Sequence, residues 1–165
     1  MMNWEEAIIF LRTKPEYESI LYDSYLNDAP VENVERFRSS GEFIETLSIV
    51  RKNFPKAKLL LEIGSGTGIA AAAFALEGYT VIATDPDVGE HTGCAAITRL
   101  KEKYQLTQLE VLESKGESLP FPANSFDLIY VRQALHHADD LIKMLQEISR
   151  VLKPGGGLIA VREHV

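Results

Sequence analysis

The chain has 165 residues, of which 45% are hydrophobic and 25% charged. This composition favours one globular domain with its own core and excludes wholesale disorder. The formal charge of −7 and an isoelectric point near 5.1 repel phosphate backbones, so a nucleic-acid partner would require a local basic patch. The densest basic stretch, Arg99 to Lys103, is a helix face interrupted by Glu102, and no such patch is expected. Cys94 is the single cysteine, which excludes an internal disulfide and fits a reducing compartment. The N-terminus, MMNWEEAIIF, has no basic leader region, and no stretch approaches the 18 apolar residues of a membrane span. A cytoplasmic protein without a membrane span is the expectation.

The first 55 or so residues read as helical. Trp4, Ile8 and Leu11 recur at helical spacing before Pro15; a second pattern runs from about Glu16 to Tyr25 and stops before Pro30. A third covers about Ser40 to Asn53, with Phe43, Leu47 and Val50 on one face. From Lys58 onward strands and helices alternate. KLLLEIG (58–64) is a continuous apolar run, as expected of a strand buried on both faces. IAAAAFALEG (69–78) is a helix of small residues ending at Gly78. TVIATD (80–85) is a second strand, followed by a helix from about Val88 to Lys103 and a strand at LEVLE (109–113). A proline-punctuated loop leads to FDLIYV (126–131). A helix capped by Asp139 or Asp140 then presents Leu141, Leu145, Ile148 and Leu152 on one face. Pro154 with three glycines makes the turn into a fifth strand, GLIAVRE (157–163).

Five alternating strands predict an α/β fold: a doubly wound, Rossmann-like, mostly parallel sheet of order 3-2-1-4-5 with an N-terminal helical extension. A ligand then belongs at the carboxyl ends of the strands, beside the first. Four segments meet there: 64–68, 85–88, 114–117 and 131–137.

The strongest motif is E-I-G-S-G-T-G, Glu62 to Gly68. Gly64, Gly66 and Gly68 permit a tight turn and a close backbone approach to a ligand at the start of a helix. A dinucleotide fingerprint needs a glycine at 69, where Ile69 stands, which disfavours a nicotinamide dehydrogenase. Asp85 ends the second strand, where a carboxylate accepts both ribose hydroxyls of a nucleotide; its competing role is to cap the helix near Val88. Pro86 and Val88 offer apolar surface to a base.

With Glu62 ahead of those glycines, the turn resembles motif I of class I S-adenosylmethionine-dependent methyltransferases. ESLPFPANSFDLIYVRQALHH (117–137) and EISRVLKPGGGLI (147–159) are similar to the LPF, SFD and RVLKPGG signatures of the group containing many small-molecule and quinone methylases. The resemblance covers about Leu59 to Val161. It implies S-adenosyl-L-methionine as cofactor and a small-molecule methyl acceptor. It further implies a cofactor site built from Glu62, Gly64, Ser65, Gly66, Gly68, Asp85, Pro86, Gly116, Glu117, Arg132 and Gln133. Residues 1–55 become a helical cap and 56–165 the cofactor-binding core of one domain. The sequence departs from the family at Lys115. Relatives usually carry there an aspartate that accepts from the adenine amino group; lysine only donates. Gly116 offers its N–H instead, and Glu113, Ser114 or Glu117 an acceptor.

Methyl transfer asks mainly for positioning, so no triad or metal cluster is demanded. His136 and His137 follow the fourth strand where an acceptor would sit, and either suits a general base or a structural hydrogen bond. Adjacent histidines on a turn diverge, which argues against a metal. Glu35, Arg36 and Phe37 either fold over the crevice or form a solvated helix face with one anchoring aromatic. The family's sheet normally has two further strands that this chain lacks. The fifth strand is therefore expected to present an open edge and to promote a homodimer. Lys115 and the lacking strands keep a second reading in play: a non-catalytic module binding S-adenosylmethionine or S-adenosylhomocysteine.

Overall fold

A computed structural model describes residues 4–163. Four helices come first: α1 (Trp4–Arg12), α2 (Glu18–Asp23, entered through a 3-10 turn at Pro15–Tyr17), α3 (Pro30–Arg38) and α4 (Gly41–Asn53). Pro30 starts α3 instead of merely ending what precedes it, because the first turn of a helix lacks hydrogen-bond partners for its N–H groups anyway. Ser40 caps α4 by accepting from the Phe43 N–H.

The alternating part follows: β1 (Leu59–Ile63), α5 (Ile69–Leu76), β2 (Thr80–Asp85), α6 (Cys94–Tyr104), β3 (Leu109–Glu113), β4 (Phe126–Arg132), α7 (Leu141–Val151) and β5 (Leu152–Val161). All five strands are parallel, in the order β3-β2-β1-β4-β5. Glu62 therefore sits beside Ala83 of β2 and Tyr130 of β4. The β3-to-β4 crossover is the 114–125 loop and carries no helix.

The two faces are unequally covered. On one, α3 to α6 pack through Val34, Phe37, Phe43, Leu47, Phe74 and Ile97 against Leu60, Val81 and Leu128. Rings of Phe37, Phe43, Phe74 and Tyr130 stack in series with centroids 5.0–5.1 Å apart. The alanines of α5 are buried all round, and their small size lets this helix lie close to both the sheet and α3. Helices α3 and α4 and the sheet thus share one core. The other face is covered by α7 and the 114–125 loop, through Leu119, Phe126, Met144, Ile148 and Val151.

Several local expectations are corrected. Helix α6 begins at Cys94, because residues 86–93 fold as a loop tied by the Asp87 carboxylate. The buried stripe of α7 is Met144, Ile148 and Val151; Leu141 and Leu145 face outward. Asp140, not Asp139, caps that helix, accepting from the Lys143 N–H at 3.0 Å. Pro154 to Gly157 make no separate turn. They lie inside β5, where the register jumps from Phe126–Leu152 to Leu128–Gly157 as a bulge. A Cβ at Gly157 would strike the Phe54 ring, which explains a glycine there. Trp4 is 58% exposed although Ile8 of the same helix is fully buried.

Candidate functional site

The four predicted segments do converge, and specific backbone bonds hold them. After β1 the chain turns sharply: the N–H groups of Gly64 and Ser65 both donate to the Thr84 carbonyl at the end of β2, at 2.9 and 3.0 Å. Gly64, Gly66 and Gly68 all have positive φ, the left-handed region that glycine enters without penalty. Their surroundings differ. A Cβ at Gly64 would lie 2.5 Å from the Ala134 Cβ, and one at Gly68 would lie 3.0 Å from Ile97. Above Gly66 there is nothing within 4 Å. The outer glycines close the turn onto the β4 loop and α6, and the middle one faces open space.

Asp85 ties the turn to β2. Its Oδ2 accepts from the Gly66 N–H at 2.8 Å and its Oδ1 from the Asp87 N–H at 2.9 Å. Burial pushes the Asp85 pKa up, opposed by those two N–H bonds. It does not cap α6, which starts nine residues later. An ionised carboxylate offers about four acceptor positions, so two remain for a ligand. Pro86 and Val88 beside it are exposed.

Glu62, in β1, is 2% exposed, and its Oε2 has no hydrogen-bond partner. Burial raises its pKa to about 8; Ser65, the Arg132 charge and the Ala71 N–H pull the other way, and the Asp85 charge adds to the rise. Tyr130 is its register neighbour on the same face, and the Tyr130 hydroxyl is also buried without a partner. Burial, then the nearby Glu62 charge, pushes the Tyr130 pKa up. Two orphaned buried oxygens on register-paired residues are an arrangement that folding alone does not favour, since each unpaired buried polar group destabilises by about 1–3 kcal/mol.

The remaining candidates are mostly engaged in holding the rim. Gly116 is buried against Met144, which a Cβ would meet at 2.8 Å. Glu117 accepts from the Asp139 and Asp140 N–H groups at 2.8 and 3.4 Å, fixing the entry to α7. Lys115 reaches across to Asp139 at 3.0 Å, away from β2, and Ser114 N–H donates to the Asp85 carbonyl. The Arg132 guanidinium turns into the helical face. It pairs with Glu42 of α4 at 2.6 Å and lies over the Tyr25 and Phe37 rings, and Glu42 also holds Arg162 at 2.8 Å. Gln133 is exposed with φ +54, a strained conformation at the end of β4 for a residue other than glycine. His136 Nδ1 donates to Glu163 at 2.9 Å. The same carboxylate accepts from the N–H groups of Ala134 and His136, and the His137 ring stacks on His136 with centroids 4.1 Å apart.

Sequence reasoning missed Tyr130, the clamp formed by Glu42, and the docking of α1. Glu5 accepts from the N–H groups of Glu90 and His91 at 2.6 and 2.9 Å, and Arg12 donates to His91 Nδ1 at 2.7 Å. Of the two readings of Glu35, Arg36 and Phe37, the helix face with one anchoring aromatic holds. Phe37 anchors the core, Arg36 stacks on Tyr22, and Glu35 meets the Tyr104 hydroxyl, so α1 is the segment that reaches the β2 loop. Only the acidic pair Glu5–Glu6 hinted at this, and acids in a first helical turn are too common to read. Among the described residues no cluster of His, Cys, Asp and Glu could hold a metal, and no helix is long and apolar enough to cross a membrane.

These residues suit S-adenosyl-L-methionine. The orphaned Glu62 oxygen matches an ammonium, the space over Gly66 a close-lying ligand, and the two open positions of Asp85 a pair of hydroxyls. Comparisons with known proteins agree. The family described as "Methyltransferase domain" matches residues 61–160. "Uncharacterized methyltransferase YcgJ" of Bacillus subtilis is 32% identical over 150 residues, covering 84% of this chain and 55% of YcgJ. The crystal structure of YcgJ superposes with a TM-score of 0.62 at 29% identity, over 68% of this chain and 47% of that one. The ubiquinone/menaquinone biosynthesis C-methyltransferase UbiE of Psychromonas ingrahamii is 32% identical over 107 residues, 64% of this chain and 43% of UbiE. A Haemonchus contortus phosphoethanolamine N-methyltransferase, solved with S-adenosylhomocysteine, superposes with a TM-score of 0.62 at 26% identity, over 72% of this chain and 28% of that one. The chain spans about half the length of the curated relatives it matches.

Proposed function

Because this chain belongs to the methyltransferase domain family, we propose that it transfers a methyl group from S-adenosyl-L-methionine to a small-molecule acceptor that is not a nucleic acid. The observation that carries this reading is the buried Glu62 carboxyl with its unpartnered oxygen at the foot of the glycine turn. When bound, S-adenosyl-L-methionine would supply a methyl carbon on a positively charged sulfur, open to in-line displacement by a nucleophile with neutral thioether as the leaving group.

The chain's contribution is positioning. Glu62 would receive the α-ammonium of the cofactor and Asp85 its ribose hydroxyls. Gly64, Ser65, Gly66 and Gly68 shape the backbone bed, and Pro86 with Val88 offers apolar surface to the adenine. Gly116 would offer a main-chain N–H to the adenine, and Glu117 fixes the entry to α7 beside it. Arg132, held by Glu42, and Gln133 set the end of β4 under the reacting centre. His136 is the general base: Glu163 orients its ring, which would take a proton from the acceptor's nucleophilic group. The His137 ring lies against that of His136, tilted by 45°. We place the reaction in the cytoplasm, where the lone Cys94 stays reduced.

Calorimetric titration with S-adenosylmethionine, S-adenosylhomocysteine and NAD tests the reading. Both S-adenosyl ligands are expected to bind, and binding of NAD alone would overturn it. One observation favours the second reading, a cofactor-binding module without catalysis: Lys115 is tied to Asp139 and Glu117 to the α7 entry, so neither reaches an adenine amino group. A protein that binds both S-adenosyl ligands and methylates none of a panel of phenols, quinols and amines would be that module.

A further inference from the structure

We propose that the cavity enclosed by α1, the loop ahead of α3, the glycine turn and α6 seats a carboxylate carried by the methyl acceptor; this rests on the methyltransferase reading above. The cavity has a volume of about 40 Å³, and Arg12, Asn27, Asn33, Thr67, His91 and Arg99 are among the residues that line it. One ordered water needs about 10–15 Å³ on this measure, so the space suits the head of a carboxylate and is cramped for a phosphate.

In a chain of net charge −7, two guanidinium groups and an imidazole converge on this one small space, against the single carboxylate of Asp28 at its rim. Arg12 is largely buried. It donates to the carbonyls of Leu26 and Asn27 and to His91 Nδ1, and its nearest carboxylate, Asp28, is loose at 3.6 Å and mostly exposed. Burial lowers the Arg12 pKa, Asp28 opposes this, and repulsion from Arg99 adds to it. Arg99 makes no hydrogen bond or ion pair among the described residues, although its charge reaches Glu5 on α1. Two like charges aimed at one cavity repel until an anion enters between them, and a carboxylate can bridge a pair of guanidinium groups by charge-assisted hydrogen bonds. Thr67 belongs to the turn that bounds the cofactor crevice and Ile69 opens α5 directly after it, so an acceptor anchored here lies against that turn.

The test uses sodium acetate as probe, followed through the arginine Nε–H resonances of the whole chain, with sodium chloride at equal ionic strength as reference. Acetate is expected to shift Arg12 and Arg99 saturably. Arg99→Gln, at an exposed position without partners, should keep the fold and weaken acetate at least tenfold, the loss of one charge-assisted bond. Asp28→Asn should tighten it. Shifts that chloride reproduces, or an affinity unchanged by Arg99→Gln, would overturn the proposal, and so would inorganic phosphate binding more tightly than acetate. S-adenosylhomocysteine affinity should be the same in wild type and Arg99→Gln. A tenfold loss there would give the arginines to the cofactor's own carboxylate and sink the acceptor assignment. Failure of the wild type to bind S-adenosylhomocysteine while acetate still binds would strike the methyltransferase reading instead.

Discussion

The buried Glu62 carboxyl makes the pH dependence of stability a direct probe of the site. Its pKa is raised from 4.5 to about 8, chiefly by burial. The folded state therefore keeps a proton that the unfolded chain releases above pH 4.5. Stability from this group is fully present below pH 4.5, falls as pH rises toward 8, and levels off above. At 1.36 kcal/mol per pKa unit, the loss between pH 5 and pH 8 is about 3–4 kcal/mol, a large part of a small domain's stability. Glu62→Gln removes the titration and keeps the shape. Urea unfolding at pH 5, 6, 7 and 8, without ligand, is expected to show the wild type losing stability across this range about 3 kcal/mol faster than the variant. Saturating S-adenosylhomocysteine, whose ammonium meets the ionised carboxylate, should flatten the wild-type slope. Parallel pH profiles for the two proteins would refute the reasoning, because they would mean that Glu62 is hydrated or paired in solution.

Three further outcomes are expected. Gly66→Val should abolish S-adenosylhomocysteine binding in calorimetry and retain near-native circular dichroism, at about 1–2 kcal/mol lower stability from its positive φ; unchanged affinity would remove the glycine turn from the site. Asp85→Ala should weaken the same ligand by about 1.5–3 kcal/mol, and a 2′,3′-dideoxy analogue far less. It should also lower stability, because the Gly66 and Asp87 N–H groups lose their acceptor, so equal losses for both ligands would make Asp85 purely structural. Strand β5 has β4 as its only strand neighbour among the described residues, and Leu158 and Ala160 are exposed, so sedimentation should show association rising with concentration. A strict monomer with slow amide exchange over 158–161 would show that the edge is covered from within.

The sequence by itself determined what depends on local order along the chain. Alternation of apolar runs and helical periods dictated five parallel strands, because parallel neighbours need long crossovers and right-handed connections leave few strand orders. Gly64, Gly66 and Gly68 announced a turn that only glycine makes easily, and the spacing to Asp85 placed an acid at the end of the next strand. Tertiary structure decided which polar groups are engaged. Arg132 looked available at a strand end, yet Glu42, ninety residues earlier, holds it on the helical face. Glu117 looked like a cofactor contact, and its carboxylate is taken up by the Asp139 and Asp140 N–H groups at the entry to α7. The partners of a charge are chosen by packing between distant segments, which no spacing rule encodes. The same holds for Glu62. Its sequence marked an acid before a glycine turn, but burial beside Tyr130, which leaves the Glu62 Oε2 and the Tyr130 hydroxyl without partners, exists only once β1 and β4 lie side by side under the aromatic stack.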